Sequence, residues 1–295
     1  MTLLDGLPVI HMSTSSTSST SSVVKAKIHD SSRQPPPFLE EIQELWRLRE
    51  LVVLWAERNI KLRYKRSVLG ILWTLLEPLI LMIILSVVFS QLFRFRVENY
   101  SIYLLSGLLL FDFLSRSTLQ IVEEIVVSQG LASRIYVPRT VFAVATILSY
   151  LVSWVIALVP LLIIMLILGH PITVTMLTVP AGMLLTSLFA LGVGLLVATL
   201  GASFHDIKLT YQVLLTAWLY ATPIIYPLDI VPEQFRHWFY LNPLLYFCST
   251  VRDPIFLGKT AAAEAWLLAL ACSLGTLLVG WWVFTSRRRT FDYLS

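Results

Sequence analysis

The sequence predicts an all-α integral membrane protein with six transmembrane helices, an N-terminal amphipathic interface helix, and short external re-entrant helices before the last span. Of the 295 residues, 57% are hydrophobic and 14% are charged, whereas an ordinary soluble domain carries about 25% charged residues. Six apolar runs approach or exceed the roughly 20 residues that a helix needs to cross a bilayer. The net charge is +4, and the basic residues cluster beside the apolar runs. This favours an anionic membrane surface over nucleic acid as the partner.

The first 37 residues are predicted to be a disordered cytosolic tail. Residues 13–22 are all Ser or Thr, and three consecutive prolines close the segment at residues 35–37. Such a composition cannot bury enough apolar surface to offset the entropy lost on ordering. The start of the chain also lacks the basic stretch and the long apolar stretch of a signal peptide.

The next segment, residues 38–69, is predicted to be the amphipathic interface helix. Four apolar residues recur at spacings of three and four, which places them on one helix face. They are Leu45, Leu48, Val52 and Trp55. Acidic residues lie near the start of the segment and basic residues at its end, as the helix dipole favours. Such a helix lies along the membrane surface, either as a plain anchor or also as a contact for a partner protein.

A six-span domain is predicted for residues 70–286, with a cytosolic tail at residues 287–295. The predicted spans are residues 70–93, 100–122, 141–168, 176–200, 209–227 and 265–284. Residues 228–264 are broken by prolines into pieces too short to span, which predicts interfacial or re-entrant helices. Counted from Arg47 onward, thirteen Lys and Arg residues fall on the side of the termini and five on the other side. This bias predicts that both termini are cytosolic.

Two charges lie inside the second predicted span. Asp112 and Arg116 are four residues apart and therefore share one helix face. Charges within a span are costly, and they usually pair or face a water-filled cavity. Two roles fit these residues: they pair with each other, or they line a pathway through the membrane.

Catalytic and cofactor motifs are absent from the sequence. Gly258-Lys259-Thr260 looks like the end of a Walker A loop, but Asp253 stands where that motif needs a glycine. The two cysteines, Cys248 and Cys272, lie in no metal-binding pattern. We therefore expect no metal, no bound cofactor and no enzymatic activity in this chain, so any energy source would lie on another chain.

Three stretches carry a resemblance to a known family. The first runs from Arg58 to Trp73 and continues to Glu77-Pro78, the second is residues 134–139, and the third is residues 223–227 followed by Leu241-Asn242-Pro243. Their order and spacing resemble the permease subunits of type 2 ABC exporters. The similarity is greatest to the branch that exports O-antigen, capsule or teichoic-acid polymers.

The resemblance implies a homodimeric permease in the bacterial cytoplasmic (inner) membrane, joined to two copies of an ABC ATPase subunit that binds ATP and Mg. The implied substrate is a polysaccharide linked to a polyprenyl pyrophosphate. The loop at residues 123–139 would be the coupling helix that contacts the ATPase. Its candidate coupling residues are Arg134, Ile135, Tyr136, Pro138 and Arg139.

Aromatic and basic residues supply the candidate substrate contacts. Tyr and Trp present an apolar face to sugar rings together with a polar tip, although the same residues are typical of an interfacial belt. The candidate pathway residues are Tyr211, Trp218, Tyr220, Tyr226, Asp112 and Arg116. Arginine suits phosphate, although membrane anchoring would explain the same charges. The candidate pyrophosphate contacts are Arg58, Lys61, Arg63 and Arg66.

Other functions stay open at the level of the sequence. One is a type 2 ABC permease for a lipid or drug, and another is a structural membrane protein. A third is an integral-membrane enzyme acting on lipid-linked sugars. That enzyme would need a cluster of acidic residues or histidines, whereas Glu77, Asp112 and Asp229 are scattered along the chain.

Overall fold

The structure is a computed structural model that describes residues 37–65, 68–88, 98–132, 137–201 and 206–287. These residues form ten α-helices and no strand. The all-α prediction is therefore confirmed for this part of the chain. The predicted disordered tail, except Pro37, and most of the C-terminal tail lie outside the described residues.

The ten helices follow one another with short connections. Three 3₁₀ turns, Gly70–Leu72, Val174–Thr178 and Leu228–Ile230, and a π-helical turn, Asp253–Leu257, lie between them. The helices are α1 Pro37–Arg47, α2 Arg49–Tyr64, α3 Trp73–Val87, α4 Tyr100–Ala132, α5 Thr140–Ile167, α6 Val179–Gly201, α7 Ile207–Tyr220, α8 Glu233–Phe239, α9 Pro243–Arg252 and α10 Ala263–Ser286.

Four helices in the described residues are long and apolar enough to cross a membrane. They are Tyr100–Ile125, Thr140–Ile167, Val174–Gly201 and Ala263–Ser286. The first and fifth predicted spans contain the shorter helices α3 and α7, of 15 and 14 residues. At 1.5 Å per residue, the described part of each covers about 20 Å of a hydrocarbon core of about 30 Å. The structure thus supports four spans directly and leaves the count of six as a prediction.

Helix α4 extends well past the predicted end of the second span. It continues to Ala132, into the segment that the sequence analysis assigned to a polar loop. The polar residues Glu123 and Glu124 lie within the helix, and both contact neighbouring helices. The hydropathy pattern shows where a helix becomes polar. The helix itself ends where its backbone hydrogen bonding stops, which in α4 is further along the chain.

The predicted single interface helix is two helices, which meet at Leu48. The second of them, α2, packs along α5. Its Val52 and Ala56 are buried in one cluster with Val141 and Ala145. Further along, Asn59 donates to Thr146, so the two helices run in the same direction. The first turns of α5 are therefore covered by α2.

Helix α4 forms the centre of the bundle, with contacts to α3, α5, α6, α7 and α9. Helices α6 and α10 approach each other closely. A Cβ atom on Gly280 would lie 2.3 Å from the carbonyl oxygen of Gly192. Only glycine permits this approach, as is common where helices pack in lipid.

Helices α8 and α9 have 7 and 10 residues, which agrees with the prediction that residues 228–264 contain no span. Helix α9 begins at a favourable cap, because Asn242 accepts a hydrogen bond from Leu244 N at 3.1 Å and Pro243 occupies the first helical position. The irregular backbone before α8 is held by Arg252, which donates to the carbonyl oxygen of Pro223 at 2.9 Å.

Candidate functional site

A cavity that is open to the surface of the chain lies where α2, α3, α4 and α5 meet, and charged and aromatic side chains line it. Its volume is about 200 Å³. Ser153, on its wall, is the fourteenth of the 28 residues of α5, so the cavity lies about 20 Å along that helix. If α5 spans the membrane, this depth is close to the middle of the bilayer.

Arg116 joins two carboxylates at this cavity. Its Nε donates to Asp112 Oδ1 at 2.5 Å, and its Nη2 donates to Glu77 Oε1 on α3. The predicted pairing of Asp112 with Arg116 is thus present and extends to a third residue. Glu77 and Asp112, which look scattered in the sequence, meet through the packing of α3 on α4.

A second arginine, Arg63 at the end of α2, lines the same cavity. Its Nη1 donates to Ser153 Oγ at 2.9 Å. Its guanidinium carbon lies 3.7 Å from the centroid of the Tyr150 ring. The cation is therefore held by a hydroxyl and an aromatic face, and two positive and two negative side chains line the cavity.

Two buried hydrogen-bond donors belong to residues of this wall, but neither atom has a surface accessible from the cavity. The indole Nε1 of Trp154 and the hydroxyl of Tyr64 are buried and have no hydrogen-bond partner among the described residues. Trp154 is only 3% exposed, and its ring stacks on Phe113 at 4.6 Å between centroids. A buried unpaired donor costs about 1–3 kcal/mol. Neither unpaired donor was predicted from the sequence, because the acceptors available to a side chain depend on distant parts of the chain.

The predicted pathway aromatics lie in different surroundings. Tyr211 is buried and its hydroxyl donates to Thr118 Oγ1 at 3.0 Å. Trp218 is half-buried and its indole N–H donates to Asn242 Oδ1 at 2.9 Å. Both therefore take part in packing within the protomer. Tyr220 is 62% exposed, and half-buried Tyr226 donates to its carbonyl oxygen.

The exposed face of α7 carries a polar stripe. Gln212, Thr216 and Tyr220 are all exposed, and their spacing of four residues places them on one helix face. The signal was available in the sequence as a four-residue repeat of polar side chains within an apolar helix. The pathway residues predicted from the sequence on this helix are instead the aromatic ones.

The basic residues proposed for pyrophosphate contact do not form one patch. Arg58 lies 4.2 Å from the Trp55 ring centroid, Lys61 pairs with Glu57 at 3.3 Å on the exposed surface, and Arg63 lines the cavity. The fourth, Arg66, lies outside the described residues. Pyrophosphate contact stays a prediction for all four.

The candidate coupling loop is described only at its edges. Arg134, Ile135 and Tyr136 lie outside the described residues, whereas Pro138 is buried and Arg139 half-buried just before α5.

Helix α2 contacts the helices on both sides of this loop, α4 and α5. Trp55 Nε1 donates to Glu124 Oε2 on α4 at 3.3 Å, and its ring lies 4.7 Å from that of Phe142 on α5. On the other side of α4, Lys208 of α7 donates to Glu123. These contacts connect α2, the end of α4 and the start of α5 into one surface. We call this surface, which includes Trp55, Glu124 and Phe142, the coupling block.

The described helices pack around an apolar core, and four of them are long and apolar enough to cross a membrane, which defines a helical membrane protein. Residues 50–256 match the family model described as ABC-2 type transporter, and the chain belongs to that family. Membrane-spanning transporter subunits are thus the class to which this chain is assigned.

Curated relatives align along most of the chain. It is 26% identical over 252 residues to the O-antigen export system permease protein RfbA of Myxococcus xanthus, covering 85% of this chain and 97% of that protein. It is 23% identical over 243 residues to a permease of the same name from Klebsiella pneumoniae, covering 82% and 93%. Over 233 residues it is 24% identical to the polysialic acid transport protein KpsM of Escherichia coli, covering 78% and 90%.

Proposed function

We propose that this chain is the membrane subunit of an ABC transporter that exports a lipid-linked polysaccharide of the O-antigen type, with ATP hydrolysed by a separate subunit. One observation carries the proposal: the chain aligns with 97% of the length of an O-antigen export permease. Both groups of relatives reported above handle carbohydrate polymers by name, which favours a polysaccharide over a drug. The proposed location is the bacterial inner membrane, with both termini in the cytosol.

The polar stripe of α7 supports a pathway between two copies of the chain. Gln212, Thr216 and Tyr220 are exposed on a helix that the sequence predicts to lie in the membrane, and polar groups facing lipid are costly. A closed two-fold dimer would bring two such stripes across from each other. Tyr220 would offer its ring to passing sugars. In this arrangement Tyr211 and Trp218 hold α7 in place, while Tyr220 and Tyr226 lie at its pathway end.

The coupling block supports docking of the ATPase. Two ATPase copies would each contact residues 123–139 and α2 of one permease copy. Because Trp55 connects α2 to both α4 and α5, movement imposed on this surface would reach the walls of the cavity. ATP and Mg would be bound by the ATPase alone.

The lipid carrier places a pyrophosphate at the cytosolic side. Arg58 and Lys61 are exposed there, so they would be available to it if the termini are cytosolic. A charge swap at Lys61, with topology checked separately, should reduce export without changing insertion. If export is unchanged in that variant, these charges only anchor the chain at the membrane surface and do not contact the pyrophosphate.

The experiment that tests the function combines deletion with co-purification. Deletion of the gene should abolish surface polysaccharide, and the tagged chain should co-purify with an ABC ATPase encoded beside it. Normal surface polysaccharide in the deletion strain would overturn the proposal. An altered sensitivity to drugs or altered lipid export instead would identify the alternative ABC-2 cargo.

A further inference from the structure

An apolar groove opens on the side of the bundle where α1, α2 and α5 meet, and its volume is about 680 Å³. Five of the seven described residues that line it are apolar, and they come from all three helices. They are Leu45 and Trp46 of α1, Val52 and Val53 of α2, and Val144 of α5. Trp46 and Val53 are 74% and 49% exposed. An open apolar surface of this kind indicates a binding site for an apolar group.

The groove lies near the N-terminal end of α5. Val144 is the fifth of the 28 residues of this helix, so it lies about 6 Å from the first residue at 1.5 Å per residue. The whole helix is about 42 Å long, whereas the hydrocarbon core of a bilayer is about 30 Å thick. If α5 crosses the bilayer and is centred in it, its first turn extends past the hydrocarbon. The groove then lies at the boundary between acyl chains and headgroups.

A continuous apolar stripe leads from the groove along the outside of α5. Its members recur at spacings of three and four residues, which places them on one helix face. They are Val144, Leu148, Leu151, Val155, Val159, Leu162 and Leu166. From Val155 onward all four are at least 40% exposed, which suits contact with lipid tails. An acyl chain that lies on this stripe would reach the groove at its headgroup end.

A cation lines the groove on the side of α2. Arg49 is exposed, and its guanidinium carbon lies 5.7 Å from the centroid of the Trp46 ring. The next residue, Glu50, lies about 100° away round the helix, on the face that carries Glu57. Arginine forms short, charge-assisted hydrogen bonds to phosphate oxygens. The groove therefore combines an apolar wall with a site for a phosphate.

The groove is separate from the coupling block. Val53 and Trp55 are two residues apart and so lie on nearly opposite sides of α2. Val52 and Ala56, which lie between these two sides, pack on α5. An ATPase docked on Trp55 would therefore leave the groove uncovered. The continuity of the groove with the stripe of α5 favours lipid as the occupant.

We propose that this groove binds one acyl chain of an anionic phospholipid from the leaflet that meets the N-terminal end of α5, with the phosphate at Arg49. The acyl chain lies between Trp46, Val53 and Val144 and continues along α5. This site requires only that α5 crosses the membrane, so it goes beyond the proposed function and is independent of the exported polymer. The bound lipid holds α1 and α2 at the membrane surface beside the coupling block.

Native mass spectrometry of the full chain, purified in mild detergent with any protein that stays bound, tests the site. Dioleoyl phosphatidylglycerol and the zwitterionic dioleoyl phosphatidylcholine are titrated separately, and the wild type should bind phosphatidylglycerol more tightly. Arg49→Gln should weaken phosphatidylglycerol binding by about fivefold, because the charge-assisted contact with the phosphate is lost. Arg49→Lys keeps the positive charge and should keep most of the affinity. Lys259→Gln, exposed before α10, controls for the loss of one positive charge elsewhere.

The apolar wall is tested by Val53→Asn. It should weaken the binding of both phospholipids by about fivefold, because a polar side chain replaces part of the apolar contact. Leu54→Asn is the matched control and should leave both affinities unchanged. Leu54 is 62% exposed, but it lies on the neighbouring face of α2 and is not among the described residues that line the groove.

Two kinds of result would overturn the proposal. In the first, the wild type binds phosphatidylglycerol no more tightly than phosphatidylcholine, or Arg49→Gln and Val53→Asn both bind it like the wild type. In the second, Val53→Asn removes a second copy or another protein from the spectra while lipid binding stays the same, which would assign the groove to a protein contact. Elution volume identifies a variant that fails to fold, and the other substitution then still gives the test.

Discussion

Arg116 pairs with two carboxylates at the cavity. Its two carboxylate partners come from different helices, Asp112 from α4 and Glu77 from α3. The guanidinium group is planar and has donors on more than one edge, so it can satisfy both at once. A lysine has no such geometry. The residue therefore links the position of α3 to that of α4 as well as balancing charge.

Replacing Arg116 with Met should lower the stability of the purified protein. It leaves two carboxylates close together without their cation. Because all three side chains are 43–52% exposed, we expect a loss of about 1–2 kcal/mol, below the roughly 3–5 kcal/mol of a fully buried pair. Thermal unfolding in detergent measures it. Adding Glu77→Gln and Asp112→Asn should restore much of the loss, and a triple variant no better than Arg116→Met would contradict this account.

Arg252 has a comparable role near the start of α4. It is 8% exposed, donates to the carbonyl oxygens of Pro223 and Ile224, and lies 4.0 Å from the Tyr103 ring centroid. Arg252→Lys keeps the charge and loses the pair of guanidinium nitrogens that reach the two carbonyl oxygens. We expect it to release the segment after α7 and to reduce export while ATPase co-purification persists. Limited proteolysis of this segment is the measurement, with Arg49→Lys at an exposed position of α2 as the comparison. Equal cleavage of both variants would contradict the prediction.

Asp253 gives one pH dependence outside the candidate spans. Burial raises the pKa of its carboxyl group from 3.8 to about 6, with Arg252 opposing the shift. Since the folded state then favours the protonated form, its contribution to stability is fully present below about pH 4 and is lost as the pH rises through 6. Asp253→Asn should remove this dependence. Unfolding temperatures of wild type and variant between pH 4 and 7 measure the difference, and parallel curves would count against it.

At the scale of elements, glycine decides how closely α6 and α10 pack. The carbonyl of Gly192 faces Gly280 at a separation that no Cβ atom tolerates. Helix α2 packs on α5 through side chains instead. Small and apolar residues make the contact at one end, and Asn59 and Arg63 donate hydrogen bonds to α5 further along. Each pair therefore has one defined register.

Gly280→Ala should separate α10 from α6 and destabilise the protein by about 1–3 kcal/mol. Gly275 lies on the same helix, and a Cβ atom there would have no neighbouring atom within 4 Å, so Gly275→Ala is a matched control. It should be neutral or stabilising by up to about 1 kcal/mol, since alanine is the better helix former. Thermal unfolding distinguishes them, and similar values for both would mean that close approach is not what α10 requires.

At the scale of the whole molecule, the outer face of α7 is the main surface that a single chain leaves unexplained. The polar stripe lies beside three apolar side chains that are all more than half exposed, Leu209, Val213 and Leu214. A surface of this mixed kind suits neither lipid nor bulk water alone. A second copy of the chain would give the stripe a wet pathway and these three side chains an apolar contact.

Thr216→Cys should form a disulfide between two copies under mild oxidation. The residue is exposed on the polar stripe, near the proposed two-fold axis. Leu267→Cys on α10 is the control, because it is 66% exposed on a face that we assign to lipid. Non-reducing gels of membranes from strains without the native cysteines give the dimer yield. Equal cross-linking at both positions would contradict the placement of the pathway.

The sequence alone determined the class of this protein. Apolar run length is a local property, so it identified α4, α5, α6 and α10 and the non-spanning character of residues 228–264. The order of short motifs identified the family. Charge bias predicted the orientation, and the pairing of Asp112 with Arg116 followed from helical spacing alone.

Only the tertiary structure decided which distant residues meet. Glu77 and Arg116 are far apart in the chain, and their contact depends on the rotation of α3 against α4. The same holds for Arg63 at Ser153 and for the unused donor of Trp154. The spacing of residues within a helix is set by its own geometry, whereas the face that one helix presents to another depends on packing throughout the bundle. A cavity built by four helices is therefore visible only after they have packed.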